Sequence, residues 1–352
     1  MGMLAAECTY VIGVDTHRDT HTLVICDALG APILERRLGA DAAGYRRALA
    51  LVRRHAPGAR AWAVEGAGSY GAGLTRTLIE AGERVLEVER PARPPRRAGA
   101  RSDSIDALRA ARAALGATRW AIPRQGGERE ALRVLMTTRE GAVRARTQAL
   151  CQLAALILTA PEPVRSRLRH LPHAARIAAC ARLRPHDGQP PALRASLIAM
   201  RASARRARAL GQEADGLGRE IALLVAGMAP ELARQPGVGP ICAAQVLISW
   251  SHPGRVRSEA AFAALAGVAP IPASSGQTVR HRLNRGGDRQ LNRALHTIAR
   301  CRMAHDPATK EYVARRQAQG ASAREARRCL ARFIARQIFR LLKASHNALP
   351  TL

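Results

Sequence analysis

Four carboxylates stand where phosphoryl chemistry would need them. Asp15 ends the run TYVIGVD (9–15), Glu65 closes RAWAVE (60–65), and Asp103 and Asp106 sit three residues apart in ARSDSIDA (100–107). Acids three apart on a helix share one face. Such a quartet could hold two Mg²⁺, because hard cations take oxygen ligands. Paired ions roughly 3.5–4 Å apart stabilise both the entering and the leaving oxygen of an in-line displacement at phosphorus. Each acid also has a plainer reading: Asp103 as a helix-start acid beside Ser102, Asp106 as a solvated charge, Asp15 as a turn residue and Glu65 as a strand end. His17 and His21 form an H-x-x-x-H spacing and are expected to be polar turn residues outside the metal set. The cysteines (Cys8, Cys26, Cys151, Cys180, Cys242, Cys301, Cys329) are scattered and never form C-x-x-C, which predicts neither a disulfide framework nor a zinc site.

The elements that must position these acids are legible in the first third of the chain. Residues 9–15, 21–27 and 31–38 read as a three-stranded meander. Asp41 can cap a helix through His55; 60–65 is a buried strand, Ser69 begins a helix through Ala81, 84–89 is a strand, and a helix runs from Ser102 to Leu115. The order β-β-β-α-β-α-β-α predicts an α/β RNase H-like domain rather than a doubly wound dinucleotide-binding sheet. In that topology the first and fourth strands are neighbours, so Asp15 and Glu65 should meet at their tips. The joint placement of all four acids in one such fold is what favours a site over four separate plain readings.

The remainder reads as helical. Leu132, Leu135, Ala142, Ala149, Leu153 and Leu156 form a stripe over 128–160, stopped by Pro161 and Pro163. From Leu193, the positions Leu197, Met200, Ala204, Ala207, Gly211, Ala214, Gly218, Ile221 and Val225 alternate four and three apart, as in a coiled-coil seam lined by small residues. The two helices are expected to pair, with 183–191 as a loop between them. The run 232–247 (LARQPGVGPICAAQVL) is similar to a helix-hairpin-helix module, with backbone around Gly237 and Gly239 facing a phosphate. A short helix over 259–268, a Gly/Pro/Ser/Arg loop over 270–288, and helices over 289–304 and 322–344 follow. Three domains are expected: 1–117 catalytic, 118–228 a helical coiled-coil linker, and 229–352 a mainly α C-terminal domain.

Charge points to the partner. The 352 residues carry 56 Lys+Arg and 27 Asp+Glu, a net charge of +29. Residues 1–115 hold 17 basic and 13 acidic side chains, whereas 116–352 hold 39 and 14, so the excess lies almost wholly in the second part. A polyanion is the natural counter-surface, held through phosphate contacts with steep salt dependence. A ribosome-associated or histone-like protein would share the charge but would not need an organised acidic domain. No apolar run reaches the roughly 18 residues of a membrane span, and Glu7 and Asp15 interrupt any leader-like segment. The expectation is a cytoplasmic protein with no membrane partner.

At this point the residues resemble a family. IGVDTHRDTH (12–21), VEGAGSYG (64–71), ARSDSIDA (100–107), QPGVGPICA (235–243) and FAALAGVAPIPASSGQTVRHRLNRGGDRQLNRAL (262–295) resemble the DEDD insertion-sequence transposases of the IS110 type, kin to Piv-type DNA invertases. The resemblance implies a RuvC-like N-terminal domain, a coiled-coil linker and a C-terminal transposase domain. It places the metal-binding catalytic quartet on Asp15, Glu65, Asp103 and Asp106, and the serine nucleophile on Ser275, with Ser274 the alternate. Arg280, Arg282, Arg285, Arg289 and Arg293 would neutralise nearby phosphates. It further implies donor and target DNA as partners, a structured bridge RNA as guide, and a homo-oligomeric synapse of two or four subunits. Three competing readings are a structure-selective nuclease similar to a Holliday-junction resolvase, a sugar kinase or actin-like ATPase suggested by IGVDTHRDT, and a non-catalytic nucleic-acid-binding protein. The kinase lacks a convincing second phosphate motif and adenosine loop; intact acids and serine weigh against the last.

Overall fold

A computed structural model describes residues 3–88, 102–124, 126–273, 281–282, 284 and 286–347. The chain divides into two compact units, 1–126 and 127–352.

The first unit is a mixed five-stranded sheet between helices. Its elements are α1 (Leu4–Glu7), β1 (Tyr10–Thr16), β2 (Thr20–Asp27), β3 (Pro32–Gly39), α2 (Ala42–His55), β4 (Arg60–Glu65), α3 (Ala72–Glu80), β5 (Val85–Val88) and α4 (Asp103–Gly116). The strand order is β3-β2-β1-β4-β5, with β2 antiparallel to β1 and β3, and β1, β4 and β5 parallel. Strand periodicity sorts the side chains onto two faces. Ile12, Val14, Leu23, Ile25, Trp62 and Val64 pack under α2 and α3, while Val11, Val24, Ala61 and Ala63 meet the alanines Ala107, Ala111 and Ala114 of α4. Asp41 caps α2 as expected, its carboxylate accepting from the Gly44 amide at 2.7 Å. The helix expected from Ser69 begins at Ala72 instead. Ser69 and Gly71 both donate their amides to the Gly66 carbonyl, and Gly66 adopts a φ of 65°, so residues 66–71 are spent on a turn.

The second unit is almost entirely helical: α5 (Glu128–Leu158), α6 (Glu162–Arg169), α7 (His173–Ala181), α8 (Pro191–Met228), α9 (Pro230–Ala233), α10 (Pro240–Trp250), α11 (Glu259–Leu265), α12 (Arg289–His305), α13 (Pro307–Ala318) and α14 (Ala323–Asn347), with β6 (Ile271–Pro272) and β7 (His281–Arg282) pairing antiparallel. The long helices α5 and α8 pair within the chain and run antiparallel: a methyl at Gly211 would lie 3.2 Å from Arg146 Nε, and one at Gly218 3.6 Å from Arg139 Nε. At one end of this pair Leu153, Ile157, Met200 and Ala204 pack with Leu168 of α6 and Cys180 of α7. At the other end Leu132, Ile221 and Val225 join the core of α10, α12 and α14, where Trp250, Phe262 and Phe339 pack together. Helices α1, α6, α7 and α13 lie where the sequence predicts no element, and the pair β6–β7 lies within the expected 270–288 loop. Among the described residues no helix is long and apolar enough to cross a membrane.

Candidate metal centre

Asp15 is the penultimate residue of β1 and is buried, 6% exposed. It lies one step beyond the last registered β1–β4 pair, Val14 with Val64, so Asp15 and Glu65 finish adjacent parallel strands side by side. The two strand ends are tied by Thr16, whose Oγ1 donates to the Glu65 carbonyl at 2.8 Å. Asp103 is the first residue of α4, whose start is fixed by the Ser102 side chain accepting from the Ile105 amide. The helix N-terminus favours an anion there.

Gly13 brings the helix close enough for its acid to count. A Cβ at Gly13 would stand 1.9 Å from the Ala107 carbonyl oxygen and 2.8 Å from the Ala111 nitrogen, so α4 lies directly on the backbone of β1. The consequence is a three-residue group: one ligand atom each of Asp15, His17 and Asp103 lie within 4.8 Å of one another. His17 Nδ1 is 3.7 Å from Asp15 Oδ2. Glu65 and Asp106 are not members of that group; Asp106 Oδ1 accepts from Arg109 at 2.9 Å, which neutralises it in the first turn of α4.

Two carboxylates and an imidazole fit a divalent cation. Carboxylates suit Mg²⁺ and Mn²⁺, and the imidazole nitrogen tilts the set toward the transition-metal side of that pair. His17 stands exposed in the turn between β1 and β2, as expected of it, and its ring nitrogen is the one member of this group outside the expected quartet. The D-x-H spacing at a strand end is the sequence feature that accompanies this, although a turn residue's direction is not fixed by periodicity. His21 departs from expectation: it is a core residue, 4% exposed and stacked on Tyr45 with ring centroids 5.8 Å apart. Burial pushes its pKa down.

In the second unit Gly237 has a φ of 73°, and a Cβ there would stand 3.1 Å from both the Ile298 carbonyl oxygen and Arg302 Cγ, so α12 packs against this turn. The Val238 amide is already committed to the Gln235 carbonyl at 3.1 Å, and Gly239 is the N-cap of α10. Arg282 and Arg289 are exposed, on β7 and at the start of α12. Arg293 is exposed but engaged: it donates to Glu140 of α5 at 3.1 Å and to Gln290. Ser274, Ser275, Arg280 and Arg285 lie outside the described residues.

Residues 12–160 match the DEDD transposase model of the IS110 type, and residues 229–314 match the model described as the transposase IS116/IS110/IS902 family. The chain belongs to the IS110 family of transposases. A relative in Streptomyces coelicolor, described as the insertion element IS110 uncharacterized 43.6 kDa protein, is 35% identical over 117 residues, which is 33% of this chain and 29% of that protein. The match therefore spans less than a third of the relative's length. Within the IS110 family assignment, the first model contains all four acids and His17, and the second contains the turn around Gly237, the β6–β7 pair and Ser275.

Proposed function

We infer that this chain is the transposase of an insertion sequence, cutting and rejoining DNA strands at a divalent-metal centre formed by its N-terminal acids. The observation that carries the reading is the convergence of Asp15 and Asp103, with His17, at a strand end and a helix start that Gly13 holds together. The strand order, with β2 antiparallel, supports an RNase H-like, RuvC-like domain. The quartet Asp15, Glu65, Asp103 and Asp106 would hold Mg²⁺, with His17 beside it. When bound, paired cations would stabilise the charge that builds on the oxygens entering and leaving phosphorus.

The protein's own groups have separable tasks. Asp15 is positioned by the sheet and Asp103 by α4, which fixes the spacing before any ligand arrives. Asp106 must exchange its pairing with Arg109 to join them. Ser275 would attack phosphorus: its Oγ–P bond forms, a P–O bond to deoxyribose breaks, and the serine proton passes to a base. The phosphoserine conserves the energy needed to rejoin strands. A functional division into a catalytic part (1–117), a helical coiled-coil linker (118–228) and a C-terminal part (229–352) accompanies this reading. The antiparallel α5–α8 pair supports the linker, and the Gly237 turn before α10 supports a helix-hairpin-helix-like module. The basic excess after residue 116 suits DNA and a folded bridge RNA, and a homo-oligomer would let the serine of one subunit serve the acids of another.

The test is strand exchange on paired donor and target DNA with the element's own flanking RNA. Asp15→Asn should abolish metal-dependent cleavage yet leave nucleic-acid binding, and Ser275→Ala should abolish exchange and the covalent protein–DNA species. Cleavage that survives Ser275→Ala would favour the resolvase-like nuclease, which uses water. Full activity without divalent cation would overturn the metal centre.

A further inference from the structure

The second unit carries a cleft of about 550 Å³ along one face of α14. Phe333, Gln337, Arg340, Leu341 and Ala344 line it, at helical spacings of four, three, one and three, with Gln235 of the turn after α9 opposite. The floor is fastened. Gln337 donates to Gln235 Oε1 at 2.6 Å, while buried Arg302 donates to the Pro236 carbonyl at 2.7 Å and to Gln337 Oε1 at 2.8 Å. These bonds hold α12, α14 and the turn in one arrangement, so the cleft is preformed.

Its chemistry is mixed in a particular way. Phe333 is 50% exposed in a chain with only three phenylalanines, and the other two, Phe262 and Phe339, are buried in the core. Tyr312 braces its ring edge-on at 5.8 Å, and the Arg315 guanidinium lies 6.0 Å from the Tyr312 ring. Arg336 and Arg340 are exposed on the same stretch. Glu259 is the acid they share with Arg332: it pairs with Arg336, and with Arg332 and Arg340 at 3.7 and 3.4 Å. One carboxylate cannot neutralise three guanidiniums, which leaves the rim cationic. A fixed aromatic face flanked by guanidiniums and side-chain amides suits a base with its phosphates, because an aromatic ring stacks on any base while arginine takes the backbone. An apolar protein partner would leave these charges uncompensated on its side.

We propose that this cleft binds an unpaired segment of single-stranded DNA, with Phe333 stacking on a base and Arg336 and Arg340 holding the adjoining phosphates. The inference rests on the transposase reading and adds to it a binding site for the strand that separates from its duplex.

The test uses the full chain and a labelled oligothymidine of roughly 15 nucleotides, with a duplex of equal length as reference. Phe333→Ala should weaken oligothymidine binding about five- to tenfold, the lower part of the range for a stacked base, and leave duplex binding unchanged. Phe333→Trp should retain binding. Phe333→Leu, which keeps apolar volume against Tyr312 but offers no π face, should lose it, separating stacking from packing of α14. Arg336→Gln with Arg340→Gln should weaken both probes and flatten the salt dependence. Equal losses on duplex and single strand in Phe333→Ala, unchanged oligothymidine affinity in Phe333→Leu, a Phe333→Ala loss seen only with an added oligouridine probe and not with oligothymidine, or a loss of self-association in place of DNA binding would each overturn the proposal. Wild-type protein that fails to bind even the duplex would instead count against the transposase reading itself.

Discussion

Replacing Gly13 with alanine is a small chemical change at a point where the backbone of α4 leaves no room for it. The new methyl would sit 1.9 Å from the Ala107 carbonyl oxygen, 2.8 Å from the Ala111 nitrogen and 2.9 Å from the Ala107 carbonyl carbon, all backbone atoms of α4 that no rotamer can move aside. To restore ordinary van der Waals separation the helix must withdraw by on the order of 1.5 Å. Overpacking of this kind costs about 1–3 kcal/mol. Asp103 is one helical turn before Ala107, so it moves with the helix while Asp15 stays in the sheet. Metal ligands tolerate only about 0.2 Å, and disturbing the residues that orient them weakens affinity roughly 10–100-fold. Urea denaturation followed by circular dichroism, with Mn²⁺ binding followed by electron paramagnetic resonance, reads the two effects separately. Gly13→Ala protein with wild-type stability and wild-type Mn²⁺ affinity would refute the claim that close approach of α4 builds the site.

Three further outcomes follow from particular contacts. His21 is buried with a lowered pKa, so the folded state binds its proton less readily than the unfolded chain. Its contribution is complete above the ordinary histidine value of about 6.5 and is lost as pH falls through the lower folded value. His21→Phe keeps the stack on Tyr45 and should flatten the loss of stability below that pH; an unchanged slope contradicts this. Arg302→Met removes the bonds to Pro236 and Gln337 and should lower stability by roughly 1.5–3 kcal/mol, seen as a shifted urea midpoint at constant slope; a change within about 0.5 kcal/mol would contradict it. A fragment ending at Gly126 should bind DNA feebly and with little salt dependence, because residues 1–126 carry 19 basic against 13 acidic side chains. Tight, salt-sensitive binding by that fragment would overturn the partition of charge.

The elements that alternate or carry caps were legible in the sequence. Strands around Val11–Val14 and Ala61–Val64 show buried runs ending in acids, and Asp41 and Ser102 stand at the helix starts they cap. What escaped depends on contacts distant in sequence. Nothing local says that Gly13 must be bare because α4 will lie on it, or that Arg293 will be drawn to Glu140 of α5. The direction of His17 is not legible because it stands in the turn where the period of two ends, and His21 is a core residue and not a turn residue because its stacking partner, Tyr45, lies on α2. The helices α6 and α7 are short and begin after prolines that read as loop punctuation. For the quartet, strand order accounts for the neighbouring ends of Asp15 and Glu65, while the pairing of Asp106 with Arg109 is set by rotamers that the sequence does not specify.

The most direct measurement is an anomalous difference map from crystals of the full chain grown with Mn²⁺. The expected result is a peak bounded by the carboxylates of Asp15 and Asp103, with His17 at its edge, and lost in Asp15→Asn crystals. A map with no peak there at saturating Mn²⁺, or one whose peak persists without the Asp15 carboxylate, would contradict a metal centre at the end of β1.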